Sequence, residues 1–532
     1  MRYSSIVAPM RAATLGLVLA TSHWSLSWAQ TDGTTLFQSF ETEAQTLDGR
    51  NSLSADQQLA LIRDDPATVS VTVGTIDTAA LLSSDRLVLD LPGEDAADID
   101  LGDVSSEPAY ENAFTLQAVD DTGVKTSFVV DGEDVVGVIR TADVTYQIVP
   151  LGEGRHALVE TDFGDIDDHP PGFEEEELPT GTLPPEFDEM DAGDLEDTGQ
   201  TINVIVAYTN QARIAAGNIT ALIALAEQET NDSFANSGVN PRIRVVQSYQ
   251  TTYTESGNLA TDRDRFRIQG DGFMDEIHAR RNTARADLAM LLTGTGSGCG
   301  IAAAILADPD TGFAVTKQSC ATGNFSFGHE LGHLFGARHN PEQDDSTAPF
   351  AYGHAFCNDP GNWRTIMSYN TDSKCPSRIQ WWSNPSVQVS GTATGDVARR
   401  DNARVLNGTA AYIANFRVSA GTPCRSGFMA AGSRLCITTD AVGARTFANA
   451  HVYCMDRRAR VASYTDLRYL YTRTILDAAF NPNGRWLGDW TGDDQVLCGN
   501  KSITADGDSD TANFDGTCNR FDSRGFWCAY DR

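Results

Sequence analysis

Nine histidines occur in 532 residues, and three of them fall in one eleven-residue stretch, His329-Glu330-Leu331-Gly332-His333-Leu334-Phe335-Gly336-Ala337-Arg338-His339. On an α-helix, residues four apart sit about 40° apart around the axis, so the imidazoles of His329 and His333 converge on one point. Two nitrogen ligands at that spacing suit Zn²⁺. Gly336 follows His333 by three residues, and glycine enters the left-handed conformation that ends a helix without a Cβ penalty. The chain can then turn and bring His339 in from another direction. Three imidazoles on a tetrahedral ion leave one position open, which marks a catalytic rather than a structural site. Glu330 lies on the flank of the same face, where it can reach water but not displace an imidazole; it is the expected general base. The chemistry these residues predict is hydrolysis of a peptide bond by activated water, with one Zn²⁺ as cofactor.

The elements around this stretch are read from hydropathy. Ile202–Tyr208 is a nearly unbroken apolar run and reads as a buried strand, Ala212–Ala235 has helical spacing, and Ile243–Val246 and Ala286–Leu292 read as further strands. A helix is expected at Ala403–Phe416 before Gly421-Thr422-Pro423 closes the region. Strands interleaved with helices predict an α/β (α+β) domain with a mixed, mostly parallel sheet over residues 200–419.

The eleven-residue pattern resembles the metzincin metallopeptidases, whose sites also contain a methionine turn. Thr365-Ile366-Met367-Ser368-Tyr369 is similar to that turn. The resemblance implies that Met367 floors the three imidazoles without ligating the ion, and that Tyr369 is a candidate oxyanion stabiliser. Asn340 is closest to the aspartate of reprolysin-like members, whereas Ile366–Tyr369 resembles serralysins. Val204–Arg213, Trp382-Ser383-Asn384-Pro385 and Ala414–Arg417 resemble bacterial secreted reprolysin-like enzymes, among them peptidyl-Asp endopeptidases. That likeness implies that the Trp382–Pro385 piece walls a specificity pocket, and that a preference for acidic side chains would draw on Arg364, Lys374 or Arg378. Cys299 and Cys320 bracket the segment before the histidine stretch, and Cys357 and Cys375 bracket the methionine turn. A bridge closing some 20 residues adds about 3 kcal/mol in the chain-entropy model. Cysteine-ligated zinc is disfavoured because the chain has no Cys-x-x-Cys.

The flanking regions differ in composition. Arg2 and Arg11, the apolar run Ala12–Ala20 and Ser27-Trp28-Ala29 read as a signal peptide over residues 1–29, so an exported protein is expected. No later run is long enough to span a bilayer. Residues 30–161 alternate short β-branched runs (Thr68–Val73, Leu87–Leu91, Ser127–Val130, Val135–Ile139) with Asp/Gly turns and read as a β-rich propeptide. Residues 162–199 are acidic and proline-rich, a composition that cannot offset its conformational entropy, and they read as an exposed, solvated linker. If the N-terminal region masks the metal, it does so without a thiol, because the first cysteine is Cys299; Asp165, Asp167, Asp168 and His169 are then the nearest candidates.

Residues 31–200 hold 40 acidic and 6 basic side chains, a difference equal to the entire formal charge of -34. Such a field repels phosphate backbones, which excludes nucleic acid as a partner. Protein or peptide substrates and a monomeric state are expected. Cys424, Cys436, Cys454, Cys498, Cys518 and Cys528 make residues 420–532 a small disulfide-stapled α+β domain whose pairing is not deducible. It is loosely similar to lectin-like folds, with a surface glycan or protein as candidate ligand, although Trp486, Trp490, Phe526 and Trp527 are expected in its core more than on its surface. Asp506, Asp508 and Asp510 alternate as in a calcium loop, but Thr511 and Thr517 stand where glycine and glutamate belong, so Ca²⁺ is weakly supported. The alternative to an enzyme is an inactive secreted adhesin acting through this tail.

Overall fold

The computed structural model describes residues 34–41, 53–84, 86–92, 97–100, 105–106, 113–119, 125–141, 144–164, 166, 168–170, 179–183, 200–370 and 373–417. In the C-terminal region it describes 428–431, 435–438, 442–445, 447–462, 486–490, 495–498, 516–519, 524–526 and 528–531. The signal-peptide, Asp165, Asp167, Cys424 and calcium-loop readings lie outside these residues.

The central domain is built on a five-stranded sheet of β1 (Thr201–Tyr208), β2 (Arg242–Gln250), β3 (Leu288–Thr293), β4 (Gly300–Ala302) and β5 (Phe313–Lys317), in spatial order β2-β1-β3-β5-β4. The first three and β5 run parallel, and β4 is an antiparallel edge strand. Every residue of β3 and β5 is buried, as expected for strands covered on both faces. Two helices follow β1 where one was expected: α1 (Asn210–Ala216) and α2 (Ile219–Asn236). The apolar period runs through both, but Gly217 at φ +69° ends the first, and the Asn218 side chain accepts from Ala221 N–H to start the second. Helix α3 (Ser326–Phe335), which carries the paired histidines, and α4 (Asn402–Ala414) complete this layer, and α2, α3 and α4 share one core with β1 and β3.

Ahead of this domain lies an eight-stranded antiparallel sheet whose central strands are Thr68–Thr75, Arg155–Thr161, Thr145–Gly152, Asp134–Arg140, Lys125–Asp131 and Ala113–Val119. One face covers the core of its own domain. The other sends Val129, Val136 and Val138 into the core shared by α2. Buried pairs reinforce this docking, with Arg140 2.6 Å from Glu229 and Lys317 3.2 Å from Asp65. Gln147 Nε2 donates to Ser319 O and Thr322 O.

Disulfides join Cys299 to Cys320 and Cys357 to Cys375. In the C-terminal region, short antiparallel strands and a helix at Phe447–Met455 are joined by Cys454–Cys528, and Cys436 is also disulfide-bonded. Cys498 and Cys518 fall on neighbouring strands. Phe526 is fully buried in that small core. Among the described residues no helix is long and apolar enough to cross a membrane.

Candidate metal centre

All ten residues of α3 are buried, so the helix runs through the core rather than over it. Gly336 ends it at φ +104°, and its N–H and that of Ala337 return to carbonyls of the last turn. The chain then reverses and delivers His339. Its Nε2 stands 3.1 Å from Nε2 of His329 and 3.1 Å from Nε2 of His333. Nδ1 of His329 bonds Ile366 O at 3.0 Å, and Nδ1 of His333 bonds Ala337 O at 3.0 Å. Those carbonyls accept, so each Nδ1 carries the proton and each Nε2 presents a lone pair.

Burial holds the imidazoles of His329 and His333 well below the ordinary histidine range and brings His339 down to about 3. They are neutral, the form in which an imidazole can hold a metal ion. Three facing nitrogens that between them can place a proton on one contact, not two, repel unless a cation lies among them. Tetrahedral Zn–N bonds of 2.0–2.1 Å imply N···N separations of roughly 3.3–3.4 Å. The donor set therefore fits a metal ion.

A fourth imidazole joins them. His169 offers a ring nitrogen that lies with those of His329, His333 and His339 inside a 4.8 Å group, and all four residues are buried. Its ring centroid is 5.1 Å from that of His339 and 5.3 Å from that of His333. Its Nδ1 lies 3.1 Å from Gly300 O, so Nε2 is the nitrogen left to face the group. Asp168 is equally enclosed. Its carboxylate pairs in two-pronged fashion with Arg378, Oδ1 2.9 Å from Nη1 and Oδ2 in contact with Nη2, and the two side chains are 4% and 5% exposed. Burial, the largest single influence, would raise the Asp168 carboxyl, but the charge and hydrogen bonds of Arg378 together with the neighbouring histidines outweigh it and hold the group well below the usual carboxylate range. The solvated-linker reading is thus overturned at these two residues. Composition priced them as exposed, whereas the folded chain supplies both with partners.

Glu330 is fully buried, and its carboxylate occupies the space over Gly300: a Cβ built there would stand 2.5 Å from Oε1. Glu330 and His169 therefore flank the same residue of the edge strand. Met367 is buried beneath α3, its Sδ 2.9 Å from where a side chain on Gly332 would begin. The Tyr369 ring lies 4.4 Å from that of His339, and its N–H donates to Asn340 Oδ1 at 3.0 Å, tying the methionine turn to the third histidine.

Two other expectations change. Of the piece expected to wall a pocket, Trp382 and Ser383 are fully buried, and Asn384 and Pro385 line a surface hollow with Asp401 and Arg404. The indole is buried against Phe234 and Gly332 and donates to Ser233 Oγ, because the helical layer leaves a gap beneath Gly332 that only a large ring fills. Of the three candidate cations, Arg364 turns inward to Cys375 O and Pro376 O, Lys374 is exposed, and Arg378 meets a carboxylate next to the histidines.

The fold and site together define a metallopeptidase of the metzincin kind. Residues 198–383 match the Reprolysin_5 model, metallo-peptidase family M12. A peptidyl-Asp metalloendopeptidase of Xanthomonas campestris is 37% identical over 385 residues, covering 68% of this chain and 90% of that protein. One of Stenotrophomonas maltophilia is also 37% identical, over 70% and 93%. A third, of Pseudomonas fragi, is 38% identical over 36% of this chain and all of its own length. The chain belongs to this family of M12 metalloendopeptidases. An inactive adhesin is thereby set aside.

Proposed function

We propose that the protein is an exported zinc endopeptidase, made as a proenzyme, that cleaves peptide bonds at aspartate. The observation that carries the reading is the cluster of neutral, mutually facing imidazoles of His329, His333 and His339 with Glu330 buried beside it. The aspartate preference draws on the printed names of the relatives and on Arg378, a buried cation beside those imidazoles.

A bound Zn²⁺ would polarise the scissile carbonyl and acidify water held at that position. Glu330 accepts the proton of the attacking water and passes it to the leaving amine. Tyr369, next to His339, donates to the developing oxyanion. Ile366 O and Ala337 O fix the tautomers of two ligands through Nδ1. Residues 30–161 act as the propeptide, and the acidic stretch after it contains the site of its removal. With Glu330→Ala, chelator-sensitive cleavage of casein should fall by about 10³-fold while one zinc per chain is retained. Cleavage that persists in that variant, or folded protein without stoichiometric zinc, sinks the reading.

A further inference from the structure

This inference rests on the reading just given and deepens it. We propose that Arg378 receives the acidic side chain of the substrate, and that Asp168-His169 is a built-in mimic that fills this receptor and the metal's open position together.

Three independent observations converge. First, the ligand count changes along the chain. The catalytic stretch supplies three imidazoles and leaves the fourth position open for reaction, yet His169, from the segment ahead of the domain, brings its ring into the same group. A site with four imidazoles is closed, and closed sites are structural rather than catalytic. Second, the residue just before that histidine carries the very group the substrate would carry. Asp168 makes the two-pronged pair with Arg378, whose Nη1 also donates to Asn324 Oδ1 and O and whose Nη2 donates to Ser368 O. The guanidinium is thus fixed by neighbours that belong to the central domain, and the carboxylate is the one partner contributed from outside it. Planar, preset donors of this kind recognise a carboxylate with geometric selectivity that a lysine cannot match.

Third, the backbone of the mimic is held at the start of the edge strand, and Pro179–Gly181 pair with Ile305 just beyond that strand's end. Asp168 O accepts from both Cys299 N–H and Gly300 N–H at 2.8 Å. Further along, Thr180 bridges Ile305, Gly181 N–H donates to Ile305 O, and Ile305 N–H donates to Pro179 O. Strand addition at an open sheet edge is how extended peptides are commonly held. Gly298 allows the approach: it sits at φ +85°, and a Cβ there would come within 2.6 Å of the His169 carbonyl.

The ligand half is testable without altering the mature enzyme, since Asp168 and His169 leave with the propeptide; the receptor half is tested on the mature enzyme itself. In full-length protein carrying Glu330→Gln to prevent self-processing, Co²⁺ is substituted for the native metal and its visible spectrum recorded. His169→Ala should shift that spectrum to the one given by the mature domain, because one nitrogen donor is exchanged for water. An unchanged spectrum overturns the ligand assignment. For Arg378, the mature enzyme is assayed on a peptide pair differing by Asp or Asn at the cleavage position. Arg378→Gln should reduce the ratio of kcat/KM values by roughly 100-fold with metal content intact. An undiminished ratio overturns the receptor.

Should Arg378→Gln fail to fold, Asp168→Asn in the full-length protein decides the same point. It should let an Asp-containing fluorescent peptide bind where the parent excludes it, whereas continued exclusion overturns the mimic. If wild-type mature enzyme shows no preference for Asp at all, the substrate reading falls, and the Co²⁺ spectrum still judges the latch.

Discussion

Helix α3 and the pair Asp168-His169 meet at one point, yet they reach burial by opposite routes. The helix carries its instructions locally: an apolar stripe, histidines four apart, and a glycine where the turn must reverse. The segment over residues 162–183 carries almost none, and its composition argues for solvent exposure. Asp168 and His169, buried within it, owe their positions to partners remote in sequence, Arg378 for Asp168 and Gly300 with the three histidines for His169. Burial of a charge is costly unless a paired and hydrogen-bonded partner is supplied. Here the partner is 210 residues away, so only the folded chain reveals it.

The sharpest way to break this contrast is to delete one imidazole from each side. His333→Ala in the mature enzyme should abolish stoichiometric metal and lower casein cleavage by about 10⁴-fold, several kcal/mol of lost transition-state stabilisation. If metal and activity survive, the helix is not the seat of binding, and the two regions cannot be distinguished in this way.

Acid should act next, and on the N-terminal side. His156 is buried with its Nε2 accepting from Val135 N–H at 2.9 Å, and burial lowers it from 6.5 to about 4. Between those values the unfolded chain binds the proton and the folded one does not, so stability is complete above about pH 6.5 and declines as pH falls toward 4. The loss approaches about 3 kcal/mol for this group alone. Amide exchange across Asp134–Arg140 and Arg155–Thr161, compared at pH 7 and pH 4.5, measures it. Equal protection at both would remove His156 from the account.

The smallest effect concerns the cradle. Gly298→Ala strains a positive φ in either form but meets the His169 carbonyl in the full-length protein alone. Denaturant unfolding should show a penalty larger by about 1–2 kcal/mol for the proenzyme than for the mature domain. A penalty equal in both forms would mean that the segment is not held there.

Much of the central domain was legible because its signals are short-range. The run INVIVAY reads as a buried strand, and it is one. The cysteines that bracket the segment before the histidine stretch are bonded to each other, as are those that bracket the methionine turn. Reading Ala212–Ala235 as a single helix failed because Ala, Leu and Ile keep their period through Gly217-Asn218, although that pair is a stop followed by a cap. Trp382 was read as part of a pocket wall from the likeness of Trp382–Pro385 to other enzymes, which says nothing of side-chain direction, whereas its ring fills a gap under Gly332. The clue at His169 was faint: it is the lone histidine in residues 162–199, amid carboxylates that otherwise serve solubility.

Asp168-His169 and Pro179–Gly181 are moored separately to the same sheet edge. A single cut between them frees neither mooring, because the upstream piece stays attached to the large sheet that docks on α2. That sheet keeps the severed end at high effective concentration near the metal. On the latch proposed above, nicking and awakening are distinct events, and the detached fragment is expected to inhibit in trans until it is diluted away or digested.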